Sequence, residues 1–270
     1  MRFSKRFSLS LAVPALVLSL TAPLQAANCG NTASGFNAWK AAFAKEARKA
    51  GVKKRGLQAL AASRYASRTI AADRNQKSFR YSLQKFMKIR GTNAIIAQGR
   101  KRKARNAGFY ASLEKQFGVP AGVIIAIHGM ETGFGNFMGD SNVVSAIVTL
   151  TYDCRRSDFF RPHAIGALKL VDRGSISPNT KGAKHGELGH TQFLPGNAMA
   201  YGVDANGDGR VDFYNQSDAL ASTANYLRAK GWKPGQSYQK GSHNYRVLKE
   251  WNAASVYQQS LAIMGAKIDG

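Results

Sequence analysis

The chain has 270 residues, with 39 Lys and Arg against 15 Asp and Glu and a formal net charge of +24. That length, about 243 residues once an export signal is removed, allows one large domain or two small ones. So basic a balance implies a polyanionic partner.

The first residues, MRFSKRFSLSLAVPALVLSLTAPLQAA, read as a cleaved secretory signal: a basic start, a short apolar run broken by Pro14, then small residues. Cleavage after Ala26 or Ala27 fits, and the run is too short and broken for a membrane span. A soluble periplasmic or secreted protein is expected, with residues 1–26 removed and 27–270 retained. Loss of Arg2, Lys5 and Arg6 takes the charge from +24 to about +21. For an exported protein the polyanion is the cell envelope rather than nucleic acid, the usual partner of so basic a chain. Cys29 offers a weak lipid-anchor site, because Asn28 before it is not small. Cys29 and Cys154 are the only cysteines, and in an oxidising compartment they suggest one disulfide. Closing so long a loop contributes about 4–5 kcal/mol in the chain-entropy picture.

The pattern is helical almost throughout, and a mainly α fold is expected. Phe36, Trp39, Ala42, Phe43 and Ala47 give a helix over Phe36–Ala50 that stops at Gly51. Further helices are predicted over Lys54–Arg64, Phe79–Ile89, a long basic Ala94–Gln116, Asn142–Tyr152, Phe159–Val171, Gly189–Tyr201, Ser217–Lys230 and Val247–Lys267. The basic run Arg100–Arg105 reads as a solvated helix face, and the one strand signal is at Val211–Phe213. Ser175–Gly186 is the long polar loop, of the kind that often carries function.

The stretch that organises the rest is Phe117–Gly135, FGVPAGVIIAIHGMETGFG. Pro120 suits a first helical turn, and Val123–Ile127 leave no polar face, so this helix is buried all round. It ends on Glu131, and an acid buried there has its charged form disfavoured and becomes a proton donor near neutral pH. Gly133 and Gly135 then allow backbone turns and close approach of a ligand, which puts the helix end at a cleft floor.

GELGHTQFLP, Gly186–Pro195, offers the amide of Gln192 and the flat face of Phe193, a pairing suited to an amide-bearing sugar ring. In DANGDGRVDFYNQSD, Asp204, Asn206 and Asp208 fall at calcium-loop positions one, three and five, with Gly209 at the sharp turn and Arg210 giving its carbonyl. Asn215 stands at the twelfth position, so the closing carboxylate is Asp218 in a loop three residues longer; the bland reading is an Asx-rich turn. His128 and Glu131 are three apart, as metal ligands can be, but no second such pair exists and no His-Glu-x-x-His occurs. His128 therefore reads as a structural residue behind the acid. The absence of Gly-x-Ser-x-Gly leaves a nucleophilic triad unsupported.

Taken together, FGVP…IHGMETGFGNFMG, TLTYDCRRSDFF, KGAKHGELGHTQFLP, DANGDGRVDF, DALASTANYLRAKGW and NYRVLKEWNAASVY resemble the lytic murein transglycosylase B family, from about Phe36 to Ile268. The resemblance implies a lysozyme-like helical domain with an inserted EF-hand-like calcium loop, an N-terminal helical part at about 36–116 and a catalytic core at about 117–270. It implies Glu131 as the single catalytic acid and base, Gln192, Phe193, Tyr226 and Asn252 as cleft residues, and Asp218 as the closing calcium ligand. Ca2+ is then structural, and no cofactor is needed for chemistry. Departures are Ala183 in place of a Ser, Trp251 where a Tyr is expected, and Glu187 in place of a small Ala, which adds a second carboxylate to the substrate-binding set.

The implied reaction cleaves the β-1,4 bond between N-acetylmuramic acid and N-acetylglucosamine in peptidoglycan glycan strands. Glu131 protonates the leaving oxygen, the 2-acetamido carbonyl steadies the cation, and the sugar's own C6 hydroxyl closes onto C1 to give a 1,6-anhydromuramoyl end. The protein is expected to act as a monomer, without nucleic acid. Two other readings remain: a lysozyme-type muramidase using Glu131 and Glu187, and a non-catalytic peptidoglycan-binding protein whose basic surface supplies the affinity.

Overall fold

The computed structural model describes residues 27–75 and 81–270. The expected signal segment, residues 1–26, and Phe79 lie outside the described residues. What is described is helical, with one two-stranded sheet. The helices are α1 (Phe36–Lys49), α2 (Lys54–Ala62), α3 (Ser67–Arg74), α4 (Leu83–Ile89), α5 (Thr92–Arg105), α6 (Ala107–Phe117), α7 (Ala121–Thr132), α8 (Val143–Tyr152), α9 (Ser157–Arg173), α10 (Pro195–Tyr201), α11 (Gln216–Ala229), α12 (His243–Trp251) and α13 (Ser255–Asp269).

Helix α7 is the axis of the fold. Every residue from Ala121 to Met130 is buried, as its uninterrupted apolar run requires. Val123, Ile124, Ile125 and Ile127 are fully withdrawn from water, each contributing about 1.5–3 kcal/mol against exposure. Helices α13 and α5 make its main contacts, with α6 and α11 adding smaller ones. Gly122 lets α13 come close, since a Cβ there would lie 2.2 Å from the Gly265 carbonyl oxygen. Asp269 of α13 accepts from the Gly122 N–H at 2.8 Å, placing a carboxylate at the positive N-terminal end of α7.

A second layer forms around α8, also buried nearly end to end, with α9, α2 and α3 packed on it. The Cys29–Cys154 disulfide joins this layer to the chain start, with Cα atoms 4.9 Å apart across 125 residues. Beside it Gly30 N–H bonds the Tyr152 carbonyl at 2.9 Å, and the Tyr152 hydroxyl donates to the Thr32 carbonyl at 2.9 Å. Cys29 is thus bonded to Cys154, the pairing that two cysteines in an exported chain suggest.

Several elements differ from their sequence reading. The long basic helix is two, broken at Asn106 with φ −120° and ψ 39°, and the closing helix is also two, broken over Asn252–Ala254. Helix α3 was not expected. No strand forms at Val211–Phe213; the sheet pairs β1 (Ser141–Asn142) with β2 (Lys181–Gly182), antiparallel, in the register Ser141↔Gly182. Gly189–Gln192 is not helical, and helix starts only at Pro195.

Candidate active site

A cleft of about 810 Å³ opens at the C-terminal end of α7, with Glu131 in its lining beside Glu187, Gln192, Phe193, Tyr226 and Trp251. Helix α7 stops because Gly133 is left-handed at φ 57° and Gly135 at φ 87°. The second turn admits no side chain, since a Cβ on Gly135 would lie 2.4 Å from the His190 ring. The apolar run thus ends with its one carboxylate turned to the cleft.

Two side chains hold that carboxylate. The Tyr257 hydroxyl and the Trp251 indole N–H, the latter at 3.2 Å, both donate to Glu131 Oε1. Neither takes Oε2. Burial raises the pKa of Glu131; the two hydrogen bonds and the charge of Arg90 oppose this, and the charge of Glu187 adds to it, leaving a net rise. Tyr257, itself pushed well above its ordinary value by burial and by Glu131, stays a proton-bearing donor. Arg90 is fixed by donating to the Met130 carbonyl at 2.7 Å. The arrangement suits an acid whose burial favours its protonated form and which, once ionised, is still solvated by two donors.

The opposite wall is a tight hairpin. Leu188 and Phe193 exchange backbone hydrogen bonds of 2.8 and 3.0 Å, and Gln192 in the turn has φ 55°, a strained value for a residue with a side chain. Its amide nitrogen donates to the carbonyls of Gly189 at 2.6 Å and Met138 at 3.3 Å, leaving the amide oxygen to accept from a ligand. Phe193 packs on Trp251 (5.2 Å between ring centres), Tyr226 (6.1 Å) and Phe213 (4.8 Å), a continuous aromatic wall. Tyr226 donates to the Glu250 carbonyl at 2.7 Å, and burial pushes its phenol up to about 12. Asn252 lines the cleft and fixes the start of α13, its side chain accepting from the Ala254 N–H at 3.0 Å.

The two walls are registered by histidines. His128, fully buried on α7, meets His190 of the hairpin at 3.0 Å, and the Thr132 hydroxyl donates to the His190 carbonyl at 2.7 Å. Burial drives His128 down to about 3 and lowers His190, so both are neutral at pH 7. This is the structural role the sequence assigned to His128.

Glu187 is in the cleft, its carboxylate accepting from the His185 N–H at 3.1 Å and lying 3.5 Å from the His185 ring. His163, pushed down to about 4 by burial, lines the same side and accepts the Gly196 N–H on Nδ1. Ala183 is also in the lining, with no hydroxyl to offer.

Behind the hairpin lies the 204–218 loop. Asp204 accepts from Gly207 and Gly209 at 2.7 and 2.8 Å, and the wholly buried Asp218 accepts from Ala205, Asn206 and Asp212. Asp208 accepts from the Arg210 N–H at 2.9 Å and from the Asn206 amide at 3.0 Å. Asp204, Asn206, Asp208 and Asp218 carry side-chain oxygens of the hard kind that calcium takes. Among the described residues, however, no three His, Cys, Asp or Glu side chains are clustered as metal ligands. The loop reaches the cleft through Phe213, whose carbonyl accepts from the His190 N–H at 3.0 Å.

Sequence reasoning missed Tyr257, Arg90 and His163. Tyr257 closes the NYRVLKEWNAASVY stretch, and its signal was the Asn-Ala-Ala break that starts a new helix and turns that ring toward α7.

Residues 35–241 match the transglycosylase SLT domain. The chain belongs to that family. Its sequence is 36% identical over 121 residues to membrane-bound lytic murein transglycosylase B of Escherichia coli (strain K12), a stretch covering 44% of this chain. That stretch spans only 34% of the curated relative. The fold matches SltB3 of Pseudomonas aeruginosa in complex with NAG-anhNAM-pentapeptide, with TM-score 0.79, 26% identity and coverage of 88% of this chain and 80% of that one. It also matches Escherichia coli lytic transglycosylase SLT35 in complex with calcium, with TM-score 0.75, 19% identity and coverage of 92% and 98%. The helical, lysozyme-like architecture is therefore that of the lytic transglycosylases.

Proposed function

We propose that the protein is a peptidoglycan lytic transglycosylase that cuts the β-1,4 bond between N-acetylmuramic acid and N-acetylglucosamine and leaves 1,6-anhydromuramoyl ends. The observation that carries this reading is Glu131, an acid raised by burial, held on one oxygen by Tyr257 and Trp251, at the floor of a cleft walled by aromatic rings. Glu131 protonates the glycosidic oxygen as the bond to C1 breaks, and the substrate's acetamido carbonyl supports the cationic carbon. The same carboxylate, now ionised, takes the proton of the C6 hydroxyl as that oxygen closes on C1. No water is consumed, and the attacking group is already tethered to the reacting centre. Gln192 accepts from the sugar amide, and Phe193, Tyr226, Trp251 and Asn252 shape the cleft around the ring.

One observation favours a second reading: Glu187 shares the cleft, and its charge acts on Glu131. A muramidase would use it as base or nucleophile for hydrolysis. Digestion of purified sacculi and analysis of the released fragments separates the readings. Anhydro ends support the transglycosylase, reducing ends the muramidase, and no release a binding protein.

The wider reading is of an exported protein that acts as a monomer in the periplasm or outside the cell after loss of residues 1–26, with 27–270 as the catalytic unit. The relative in Escherichia coli is membrane-bound by name, whereas no described helix here is long and apolar enough to cross a membrane. Helices of the 36–116 part pack on the 117–270 core, α2 on α9 and α5 on both α7 and α13. Calcium, where bound, is held by Asp204, Asn206, Asp208, the Arg210 carbonyl and Asp218. It braces the loop behind Phe213 and supplies no chemistry.

A further inference from the structure

Three large hydrophobic side chains stand exposed among the described residues: Phe137 (68%), Phe159 (51%) and Ile89 (57%). Phe137 and Phe159 both line the active-site cleft, and Ile89 directly precedes Arg90, which lines it too. A single exposed apolar residue needs no explanation, but two large exposed rings lining one concave site do. The aromatic wall of Phe193, Tyr226 and Trp251 already serves the inner cleft, so the outer rings are not needed for packing there.

The Phe159 ring is held in place despite its exposure, and the backbone of Phe137 is fixed in its turn. Phe159, in the first turn of α9, meets Phe160 edge-on at 4.9 Å and His163 at 5.2 Å, with the Arg156 guanidinium 5.7 Å from its centre. Phe137 sits in the turn after α7, with its backbone N–H bonded to the Thr132 carbonyl at 3.2 Å. Fixed flat faces lose little conformational entropy when a ligand settles on them. A pyranose presents such a ligand: one face of its ring is C–H, while its hydroxyls point outward.

We infer that Phe137 and Phe159 form an outer aromatic rim that seats the sugar rings of a glycan strand beyond the inner wall, setting a preference for long strands over short ones. This rests on the transglycosylase reading and extends it to the shape of the substrate. A lipid surface is the competing partner for exposed rings. The concave position disfavours it, because rings that line a cleft also holding Glu131 and Glu187 face its interior, not a flat bilayer.

The test uses the full chain carrying Glu131→Gln, so that binding is read without turnover. In co-sedimentation with purified sacculi, Phe137→Ala and Phe159→Ala should each weaken binding about three- to tenfold, and together about ten- to a hundredfold. Tyr at each position should restore binding and Leu should not, since Leu keeps the apolar character but lacks the flat face. In protein with Glu131 intact, the loss should fall on KM for sacculi rather than on kcat, and should shrink with a soluble tetrasaccharide. Unchanged sacculus binding by the double variant overturns the rim, as does full rescue by Leu. Intact sacculus binding with lost binding to phosphatidylethanolamine–phosphatidylglycerol vesicles assigns the rings to lipid and overturns it as well. If the protein binds sacculi through the rim but releases no anhydro ends, the proposed reaction fails while the rim stands. Both side chains are exposed, and the single variants keep the test available should the double variant misfold.

Discussion

Asp218 is wholly buried and Glu131 is part-buried at the cleft floor, and the partners of the two carboxylates differ in kind. Glu131 ends an apolar helix and takes side-chain donors, Tyr257 and Trp251, on one oxygen only. Asp218 is wholly buried and takes three backbone N–H groups, from Ala205, Asn206 and Asp212, spread over both oxygens. Backbone donors fix the path of the chain, so Asp218 organises a loop. Side-chain donors around an acid raised by burial leave it able to change its protonation state, as a reaction demands. Two acids of similar chemistry are thus given a structural and a reactive task by what surrounds them.

The largest expected effect breaks the comparison at Glu131. Glu131→Gln keeps the shape and has no proton to give, so formation of anhydro ends should fall by at least about 10²–10⁴-fold while the protein stays folded. Stability supplies a second readout whose sign is fixed by the raised pKa. A carboxyl raised in the folded state contributes stability that is fully present below the ordinary glutamate value and is lost as pH rises through the raised value. Glu131→Gln should therefore melt higher than wild type above the raised pKa, with the gap closing as pH falls below the ordinary value. Near-normal activity in the folded variant removes Glu131 as the acid.

The next effect sharpens the other half. If the 204–218 loop takes calcium, the ion at about 100 times its Kd adds about 2.7 kcal/mol, which for a domain of this size raises Tm by about 5–10 °C. Asp208→Ala should abolish that rise without changing the disulfide or the helical spectrum. An equal Tm in calcium and in chelator reduces the loop to a turn held by its own backbone bonds.

A smaller effect is expected at Tyr257, the donor that distinguishes Glu131 from a plainly buried acid. Its hydrogen bond favours the charged carboxylate, so Tyr257→Phe should push the Glu131 pKa higher still. The alkaline limb of the pH–rate profile should move to higher pH, and kcat should fall about tenfold for loss of a hydrogen bond to a charged group. An unmoved limb would mean the hydroxyl only packs.

Much of this contrast was legible in the chain. The unbroken run before Glu131 implies burial on every side, because a helix with no polar face is driven out of water, and α7 is so buried. The helix boundaries that failed did so where one residue decides. Asn106 breaks the basic helix without disturbing its apolar spacing, and the Gly189–Gln192 hairpin depends on a left-handed Gln192 that no period reveals. Helix α3 is short and polar, with only Thr69, Ile70 and Asp73 buried, so it has little apolar pattern to read. Tyr257 was hidden for a different reason: its reach to Glu131 follows from how α13 packs on α7, a contact between positions 126 residues apart.

The smallest expected effect is at Glu187, which tests whether a second acid in the cleft belongs with Glu131 or with the structural acids. Its partners point both ways. The carboxylate is held by the His185 backbone N–H, as Asp218 is held by backbone groups, yet its charge reaches Glu131 and adds to the rise in that acid's pKa. It is the least of the influences on Glu131, well behind burial. Removing a like charge lowers a neighbouring carboxyl's pKa, so Glu187→Ala should move the alkaline limb of activity to lower pH. The rate should fall only severalfold, about 1 kcal/mol or less, because a nearby negative charge also steadies the cationic sugar. The products should still be anhydro ends, as the single-acid mechanism requires. Loss of all turnover in a folded Glu187→Ala protein, or reducing ends from wild type, would make Glu187 an essential second carboxylate and turn the assignment to a muramidase.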